Sequence, residues 1–259
     1  MRFAVVGDIH GHWLELRQAI LTLHESSPLD LVLQVGDAQP VRNALDLSYM
    51  PVPERHRALG NFAQVVGPWP IPTWFVGGNH EPFNHLESMP EGGAVLENLD
   101  YLGRRFSRTV GNLRIAGLSG IFSPKHFDSP RAAWPFPQGG SKQASYFRRR
   151  EIEALASAGP TDILLMHEWP AQMESARKPD WPRRWAKVGC DALGGLVSTL
   201  KPRFVFCGHM HHAVVHQAGP TTIVALDNFS ARPERSIVVL ESDEQGVRIV
   251  QGLGPEGRR

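Results

Sequence analysis

The sequence is poor in cysteine, and it has no long apolar run. Its 259 residues include two cysteines, Cys190 and Cys207, too few for a disulfide framework. Cys207 lies inside a strand pattern, so we interpret it as a small core residue. No apolar stretch approaches the ~20 residues that a membrane-spanning helix needs, and the run at residues 3–6 is too short for a signal peptide. We therefore expect a cytoplasmic protein that does not enter a membrane.

The sequence also lacks an excess of charge of one sign. Its 27 Lys and Arg residues against 26 Asp and Glu residues give a formal net charge of +1, which provides no overall attraction to nucleic acid or membranes. Basic clusters around residues 104–108, 148–150 and 177–187 are compatible with a local groove that binds a polyanion. The hydrophobic share of 42% is ordinary for a globular protein. We predict a single domain over residues 1–253, followed by a tail at 254–259, and no obligate protein partner.

What the sequence does contain is a series of short apolar runs, which we interpret as buried strands alternating with helices. Strands are predicted at residues 3–6, 31–35, 73–76, 111–118, 162–166 and 203–206. Helices are predicted at residues 13–25, 54–66, 145–157 and 190–200. Four further runs, at 213–217, 221–226, 236–241 and 247–251, are predicted to form one closing antiparallel set. The strand–helix–strand order indicates α/β architecture with mostly parallel strands.

Two stretches have no clear periodicity. Residues 119–146 are rich in proline, glycine and aromatic residues, which favours a functional loop or lid, with an inconsequential excursion as the alternative. Residues 168–190 interleave Trp169, Trp181 and Trp185 with cations. Such tryptophans stack on nucleic acid or cover the edge of a core, and the sequence leaves both readings open.

Most of the predicted parallel strands end in polar, metal-capable residues, often beside a glycine. Ligand sites collect at the carboxyl ends of parallel strands, and glycine lets the backbone approach a ligand closely. Alone, the final Gly-His-Met-His could be a pair of polar loop histidines. The residues that follow the strands are Asp8, His10, Asp37, Asn79, His80, His167, His209 and His211.

This set mixes oxygen and nitrogen donors and contains no thiolate. Such a set favours Mn, Fe or Zn over a structural cysteine-type zinc site. The donors are too many for one tetrahedral ion, and they suit two octahedral ions that share a carboxylate. Two-metal sites of this kind catalyse phosphoryl hydrolysis.

In their order along the chain, these motifs resemble those of the calcineurin-like metallophosphoesterases. The resemblance implies a four-layer α/β/β/α sandwich of two mixed sheets flanked by helices. It implies a metal-bridging hydroxide that attacks phosphorus in line. It also implies that His80 is the general acid or a hydrogen-bond donor to the transition state, and that Glu81 orients His80. One divalent ion would take Asp8, His10, Asp37 and His211, and the other Asp37, Asn79, His167 and His209.

A narrower resemblance is to the RNA lariat-debranching enzymes. It is carried by residues 34–43 (Q-V-G-D-A-Q-P-V-R-N), by residues 113–122 (L-R-I-A-G-L-S-G-I-F) and by Glu168-Trp169-Pro170. The resemblance implies hydrolysis of a 2′,5′-phosphodiester at an RNA branch, with residues 119–146 as the loop that recognises the branch. Asp8 stands where these enzymes typically carry cysteine. In addition, these enzymes have a longer C-terminal extension, whereas the sequence stops soon after the predicted catalytic domain.

Two alternatives remain at this stage. One is a phosphomonoesterase or protein phosphatase of the same superfamily, although Asp37 is followed by Ala-Gln-Pro and not by the Asp-Arg-Gly of the serine/threonine phosphatases. The other is a non-catalytic scaffold, which the full set of ligands disfavours. Arg42 is a candidate phosphate contact, and His12 and His212, next to predicted ligands, are candidates to reach the substrate or to support the ligands.

Overall fold

The structure, a computed structural model, describes residues 1–137, 140–178, 181 and 188–253. Its helices are α1 (Trp13–Ser26), α2 (Ala44–Ser48), α3 (Phe83–Leu86), α4 (Arg149–Ala156) and α5 (Asp191–Leu200). Its strands are β1 (Arg2–Val6), β2 (Leu31–Gln34), β3 (Thr73–Phe75), β4 (Gly93–Leu96), β5 (Leu99–Tyr101), β6 (Arg105–Val110), β7 (Leu113–Leu118), β8 (Ile163–Met166), β9 (Phe204–Cys207), β10 (Val214–Ala218), β11 (Thr221–Ala225), β12 (Ile237–Asp243) and β13 (Gly246–Gln251). Within the described ranges, none of the helices has the length and apolar character that crossing a membrane requires.

The strands form two mixed sheets. The first has the order β13-β12-β1-β2-β3-β5-β4, and the second has the order β10-β11-β9-β8-β7-β6. Strands β1, β2, β3 and β5 run parallel in the first sheet, and β11, β9, β8 and β7 run parallel in the second. Four outer strands, β12, β4, β10 and β6, are antiparallel to the central strand beside them, and β13 is antiparallel to β12. The carboxyl ends of the central strands of each sheet therefore share one edge.

The two sheets pack face to face through alternate residues of their strands. Val5 and Leu33 of the first sheet share one buried core with Leu165 and Phe206 of the second. Since the side chains of a strand point alternately to opposite faces, the neighbours of these residues face outward.

The outward faces of both sheets are covered by helices. Val6 of β1 packs with Leu16 of α1 in one core. Leu164 of β8 packs with Leu155 of α4 and Leu193 of α5 in another. Strands buried on both faces need apolar residues at every position, which explains the unbroken apolar runs. The predicted four-layer α/β/β/α sandwich is confirmed.

The predicted helix at residues 54–66 is wrong. Two separate 3-10 turns, Glu54–His56 and Phe62–Gln64, occupy this segment. Between them Gly60 adopts a φ of +63° and packs closely on Gly11. Next to it, the side-chain oxygen of Asn61 accepts hydrogen bonds from the first backbone N–H groups of α1, at 2.8 and 3.0 Å. Asn61 thus caps the N-terminus of α1. A continuous helix over residues 54–66 would prevent this contact.

The predicted single closing antiparallel set is also wrong, because its four strands divide between the sheets. β10 and β11 pair with each other, and β11 runs parallel to β9 in the second sheet. β12 crosses to the first sheet, where it pairs antiparallel with β1 and with β13. The chain thus closes both sheets. Strands β4, β5 and β6 and helices α2 and α3 were not predicted.

Candidate metal centre

The polar residues that follow the central strands of the two sheets meet at one edge of the sandwich. The backbone N–H of His209, after β9, donates to Asp8 Oδ2, after β1, at 2.9 Å. The backbone N–H of Asn79, after β3, donates to Asp37 Oδ1, after β2, at 2.7 Å. These bonds join loops within one sheet and between the sheets. The convergence is the one expected of parallel strand ends.

Two glycines make this close approach feasible. A Cβ atom at Gly208 would overlap Asp8 Oδ1, and a Cβ atom at Gly78 would overlap Asp37 Oδ1. A side chain at either position would push a carboxylate out of place. The glycine beside each polar residue is therefore a steric requirement of the site.

One group of side chains surrounds a common point. Asp8, His10, Asp37 and His211 each offer a ligand atom, and these atoms lie within 4.8 Å of one another. The Nε2 atoms of His10 and His211 are 2.8 Å apart, and His211 Nε2 is 3.2 Å from Asp8 Oδ2. Two imidazole nitrogens and two carboxylates facing one point form a donor set typical of a transition-metal site.

A second group lies on the other side of Asp37. His167 Nε2 is 3.4 Å from Asp37 Oδ1 and 3.2 Å from Asn79 Oδ1. The His167 Nδ1 atom contacts the carbonyl oxygen of Val35 at 3.0 Å, which fixes the ring with Nε2 toward this group. The ring of His209 lies 5.0 Å from that of His167, centroid to centroid. The second group thus joins Asn79 and His167 to Asp37, and the ring of His209 packs against that of His167.

The electrostatics of the centre are those of buried carboxylates that attract positive charge. Burial lowers the pKa of His167, but the charges of Asp37 and Asp8 outweigh it and raise that pKa to about 10. Burial would raise the pKa of Asp37, but the neighbouring histidines His167 and His80 hold it well below its usual range. Burial and the charge of His167 lower the pKa of His209 to about 4.

A cation fits these residues. Asp8 is fully buried, and its Oδ1 atom accepts no hydrogen bond from any described residue. A buried carboxylate oxygen without a partner is costly unless a cation compensates it. Oxygen and imidazole donors suit Mn, Fe or Zn. The group of Asp8, His10, Asp37 and His211 therefore has the chemistry to hold a divalent metal ion.

His80 lies beside the first group. Its backbone N–H donates to Asp37 Oδ1 at 2.7 Å, and its ring meets the ring of His10 edge-on at 5.0 Å between centroids. Its Nδ1 atom is buried, with no hydrogen-bond partner among the described residues. An imidazole held next to the centre with an uncommitted nitrogen can exchange a proton with a bound molecule.

Glu81 has a different position from the one the sequence suggested. Its buried carboxylate accepts backbone N–H bonds from Gly78 and Ala38 on Oε1, both at 2.9 Å, and from Gln39 on Oε2 at 2.8 Å. Burial and the nearby charge of Asp37 raise its pKa to about 7. These contacts tie the loop after β2 to the loop after β3, so Glu81 holds the backbone of both loops.

The other candidate residues make contacts outside the two groups. Arg42 forms an ion pair with Asp46 at 2.7 Å, and His12 lies 3.6 Å from Glu15. The His212 ring meets the Trp181 ring at 4.9 Å between centroids.

For two of the tryptophans in residues 168–190, the structure decides between stacking on nucleic acid and covering the core. Trp169 is 1% exposed and Trp181 is 6% exposed, so both cover the core and neither offers a free face for stacking. Trp185 lies outside the described residues. Among the basic clusters, Arg104 and Arg148 are likewise buried, so they do not form part of an exposed groove.

Two glutamines of the site were missed by sequence reasoning. The carboxamide of Gln34 donates to the carbonyl oxygens of Gly7 and Gly36 at 3.1 and 2.6 Å, and it accepts from the Gly36 N–H at 3.0 Å. The carboxamide of Gln39 meets His10 Nδ1 at 2.8 Å. A glutamine at the end of an otherwise apolar buried strand was a usable signal for Gln34, because a buried amide needs partners.

Comparison with known proteins identifies the class of this fold and site. The sequence model of the calcineurin-like phosphoesterase family matches residues 1–213. The chain therefore belongs to the calcineurin-like phosphoesterase family, which confirms the family predicted from the motifs and, with it, an enzyme of the phosphoric ester hydrolase class.

Within this class, the chain is similar to curated lariat debranching enzymes. It is 34% identical to the one from Schizosaccharomyces pombe over 235 residues, 83% of this chain and 50% of that protein. It is 31% identical to the Entamoeba histolytica enzyme over 241 residues, 86% of this chain and 67% of that protein. It is 32% identical to the Homo sapiens enzyme over 232 residues, 82% of this chain and 42% of that protein. The chain thus spans between 42% and 67% of the length of these relatives.

Solved structures agree on the fold. A protein of Thermus thermophilus superposes with a TM-score of 0.55 at 14% identity, covering 96% of this chain and 98% of that one. A dimetal phosphatase from Danio rerio superposes with a TM-score of 0.53 at 13% identity, covering 98% of both chains.

Proposed function

We propose that the protein is a phosphodiesterase that uses two divalent metal ions and acts on RNA carrying a 2′,5′-phosphodiester branch. The observation that carries the proposal is the pair of donor groups sharing the buried carboxylate of Asp37. The family membership supports phosphoester hydrolysis, and the similarity to lariat debranching enzymes supports the branched substrate.

In this proposal the ions, drawn from Mn, Fe and Zn, are held by the two groups. Asp8, His10, Asp37 and His211 hold one, and Asp37, Asn79, His167 and His209 hold the other. When bound, such ions act as Lewis acids, which stabilise the charge on a phosphoryl group and lower the pKa of water. The protein's part is to fix the donors, and Glu81 and Gln34 do so by fixing the loops that carry them.

His80 is the proposed general acid, and it gives a proton to the oxygen that leaves phosphorus. Its uncommitted Nδ1 atom and its position against His10 support this role. The hydrogen bond from its backbone N–H to Asp37 keeps the ring next to the metal groups. Imidazole is the side chain most suited to proton transfer near neutral pH.

Residues 119–146 are proposed to recognise the branch. The segment starts at the site itself, since the Ser119 hydroxyl accepts the Gly77 N–H at 2.8 Å and the Gly120 N–H donates to the Gly77 carbonyl at 2.7 Å. Gly77 lies two residues before Asn79, so the segment begins where a substrate would meet the metal groups.

The test is cleavage of a branched RNA with one 2′,5′ linkage among 3′,5′ linkages, in the presence of Mn²⁺. We expect cutting at the branch and no cutting of a linear control RNA of the same sequence. An Asp37→Asn preparation controls for contaminating nucleases. An aryl phosphodiester is hydrolysed in parallel, as a substrate that needs no recognition of RNA.

Each outcome decides a different part of the proposal. If the aryl phosphodiester is hydrolysed and the branched RNA is not, the phosphodiesterase stands and the substrate is wrong. If only an aryl phosphomonoester is hydrolysed, the alternative of a phosphomonoesterase replaces it. If no ester is hydrolysed by a preparation that contains bound metal, the protein is not a hydrolase of this kind.

A further inference from the structure

The side chain of Gln39 meets the back of one candidate metal ligand. His10 directs its Nε2 atom toward His211 and Asp37, at 2.8 Å from His211 Nε2 and 3.9 Å from Asp37 Oδ2. Its Nδ1 atom points the other way and lies 2.8 Å from Nε2 of the Gln39 carboxamide. Gln39 is 2% exposed, so bulk water does not compete for this contact. The orientation of the His10 ring therefore depends on Gln39.

The backbone of Gln39 is held in an unusual conformation that aims this side chain. Its φ is +53°, in the left-handed region that residues other than glycine rarely adopt. The Gln39 N–H donates to Glu81 Oε2 at 2.8 Å, and its carbonyl accepts from the indole N–H of Trp13 at 3.2 Å. Backbone strain of this kind persists where the surroundings hold it, and it clusters at functional sites.

We propose that Gln39 is a positioning residue: its carboxamide oxygen accepts the Nδ1–H of His10 and so presents His10 Nε2 to the metal. The inference rests on the proposed metal site. A histidine that binds a metal through Nε2 carries its hydrogen on Nδ1, and that hydrogen needs an acceptor. A half-turn of the Gln39 carboxamide brings to His10 the Oε1 atom, which is buried and otherwise accepts no hydrogen bond from the described residues.

His167 provides a comparison within the same site. Its Nδ1 atom contacts the backbone carbonyl of Val35 at 3.0 Å, which leaves Nε2 facing Asp37 and Asn79. Each histidine thus has a partner behind it, a backbone group for His167 and a side chain for His10. Only the partner of His10 can be removed by substitution, which makes the proposal testable.

Three substitutions separate the reach of the side chain from the conformation of the backbone. Gln39→Asn tolerates the left-handed backbone, but it is one methylene too short to meet His10. Gln39→Met keeps the length and loses the acceptor. Gln39→Glu keeps both the length and an oxygen acceptor. Gln172→Asn is the matched control, because the Gln172 carboxamide donates to Gly194 of α5 at 3.0 Å and not to a candidate ligand.

The experiment is a Mn²⁺ titration of the metal-free full chain, with free Mn²⁺ followed by electron paramagnetic resonance. We expect two Mn²⁺ per wild-type chain. Gln39→Asn and Gln39→Met should weaken binding of one ion by about 10- to 100-fold, the usual effect of losing the partner of a ligating histidine. Gln39→Glu and Gln172→Asn should bind as the wild type does. The melting temperature of each metal-free variant shows separately whether the fold is affected.

Three results would overturn the inference. If wild type binds two ions and Gln39→Asn and Gln39→Met bind them equally well, Gln39 does not position His10, although the proposed metal centre stands. If Gln39→Glu is as weak as Gln39→Met, an acceptor at this position is not what matters. A wild-type chain that binds no Mn²⁺ would reject the proposed function and the role of Gln39 together.

Discussion

At the centre the two carboxylates and one histidine are withdrawn from solvent, whereas His10 and Asn79 are half-buried and the side chain of His211 is 42% exposed. Asp8 and Asp37 are 0% and 1% exposed, and His167 is 0% exposed. Charges and dipoles in such surroundings interact strongly, because little water screens them. Each donor is also bonded to backbone or to a neighbouring donor, so the loss of one side chain leaves its partners unsatisfied. Substitutions at the centre are therefore expected to act on metal binding first.

Asn79→Ala should abolish hydrolysis of an aryl phosphodiester, because it removes the amide oxygen that faces His167 at 3.2 Å. The bound Mn²⁺ per chain should fall in the same preparation. Asn112→Ala is the control, since the Asn112 amide bonds the Asp243 carbonyl at a surface position. An Asn79→Ala protein with full Mn²⁺ content and full activity would show that this amide is not a ligand.

His80→Ala should separate catalysis from metal binding. The side chain of His80 lies beside the first group but is not among its donors, so the Mn²⁺ content should stay at the wild-type value. Turnover of the branched RNA should fall by about 100-fold or more, the usual size of a lost general acid. Full activity of His80→Ala would remove its assigned role.

The individual residues of the site were largely predictable, and the reason is local. A glycine followed by a polar residue at the end of an apolar run is visible in the sequence, and it marked Asp8, Asp37 and His209. The partner of a side chain is not visible in this way. Gln39 contacts His10, and Glu81 accepts hydrogen bonds from three backbone N–H groups. Both sets of contacts form only when separate loops meet.

At the scale of elements, buried ion pairs hold the irregular segment after β7 to the helices. Arg131 of that segment lies 2.6 Å from Glu151 of α4 and 3.7 Å from Glu87, directly after α3. Glu87 also pairs with the buried Arg104. The side chains of Arg131, Glu151 and Glu87 are 13%, 6% and 5% exposed. The irregular segment is thus attached to α3 and α4 by ion pairs whose side chains have little contact with solvent.

Arg131→Met should therefore lower the free energy of unfolding by about 3–5 kcal/mol, because it leaves the buried carboxylate of Glu151 without its ion-pair partner, while Glu87 keeps its pair with Arg104. Urea unfolding of the full chain measures the effect. Arg149→Met is the matched control: the Arg149–Asp128 pair has side chains 53% and 66% exposed, so its loss should change stability little. Equal stability of the two variants would contradict a fastening role for Arg131.

Helices and strands were predictable where every residue of the element is buried. They were not predictable where a contact with a residue distant in the sequence determines the local conformation. β1, β2, β8 and β9 are buried on both faces, so their apolar runs indicated strands correctly. The segment from Glu54 to Gln64 has a helix-compatible composition, but the contact of Gly60 with Gly11 and the cap that Asn61 provides for α1 break it. Likewise, strand pattern alone does not reveal that β11 and β12 belong to different sheets.

At the scale of the whole molecule, the centre lies across the junction of the two sheets. Asp8, Asp37 and Asn79 follow strands of the first sheet, and His167 and His209 follow strands of the second. The strands of the two sheets pack on each other through an apolar core. An ion bound in either group would thus join the two halves of the sandwich at one edge, so metal binding should be coupled to the stability of the whole fold.

Added Mn²⁺ should for this reason raise the melting temperature of the metal-free protein by several degrees. A ligand that binds only the folded state contributes about 2.7 kcal/mol per site at a free concentration 100 times its Kd, and each kcal/mol shifts the midpoint of a domain this large by about 2–4 °C. Asp37→Asn removes the charge of the carboxylate that both groups share, so it should lose most of the shift. Calorimetry at increasing Mn²⁺ measures this. A shift of the same size in Asp37→Asn would mean that the stabilising ions bind elsewhere and that the sheets are not joined through this centre.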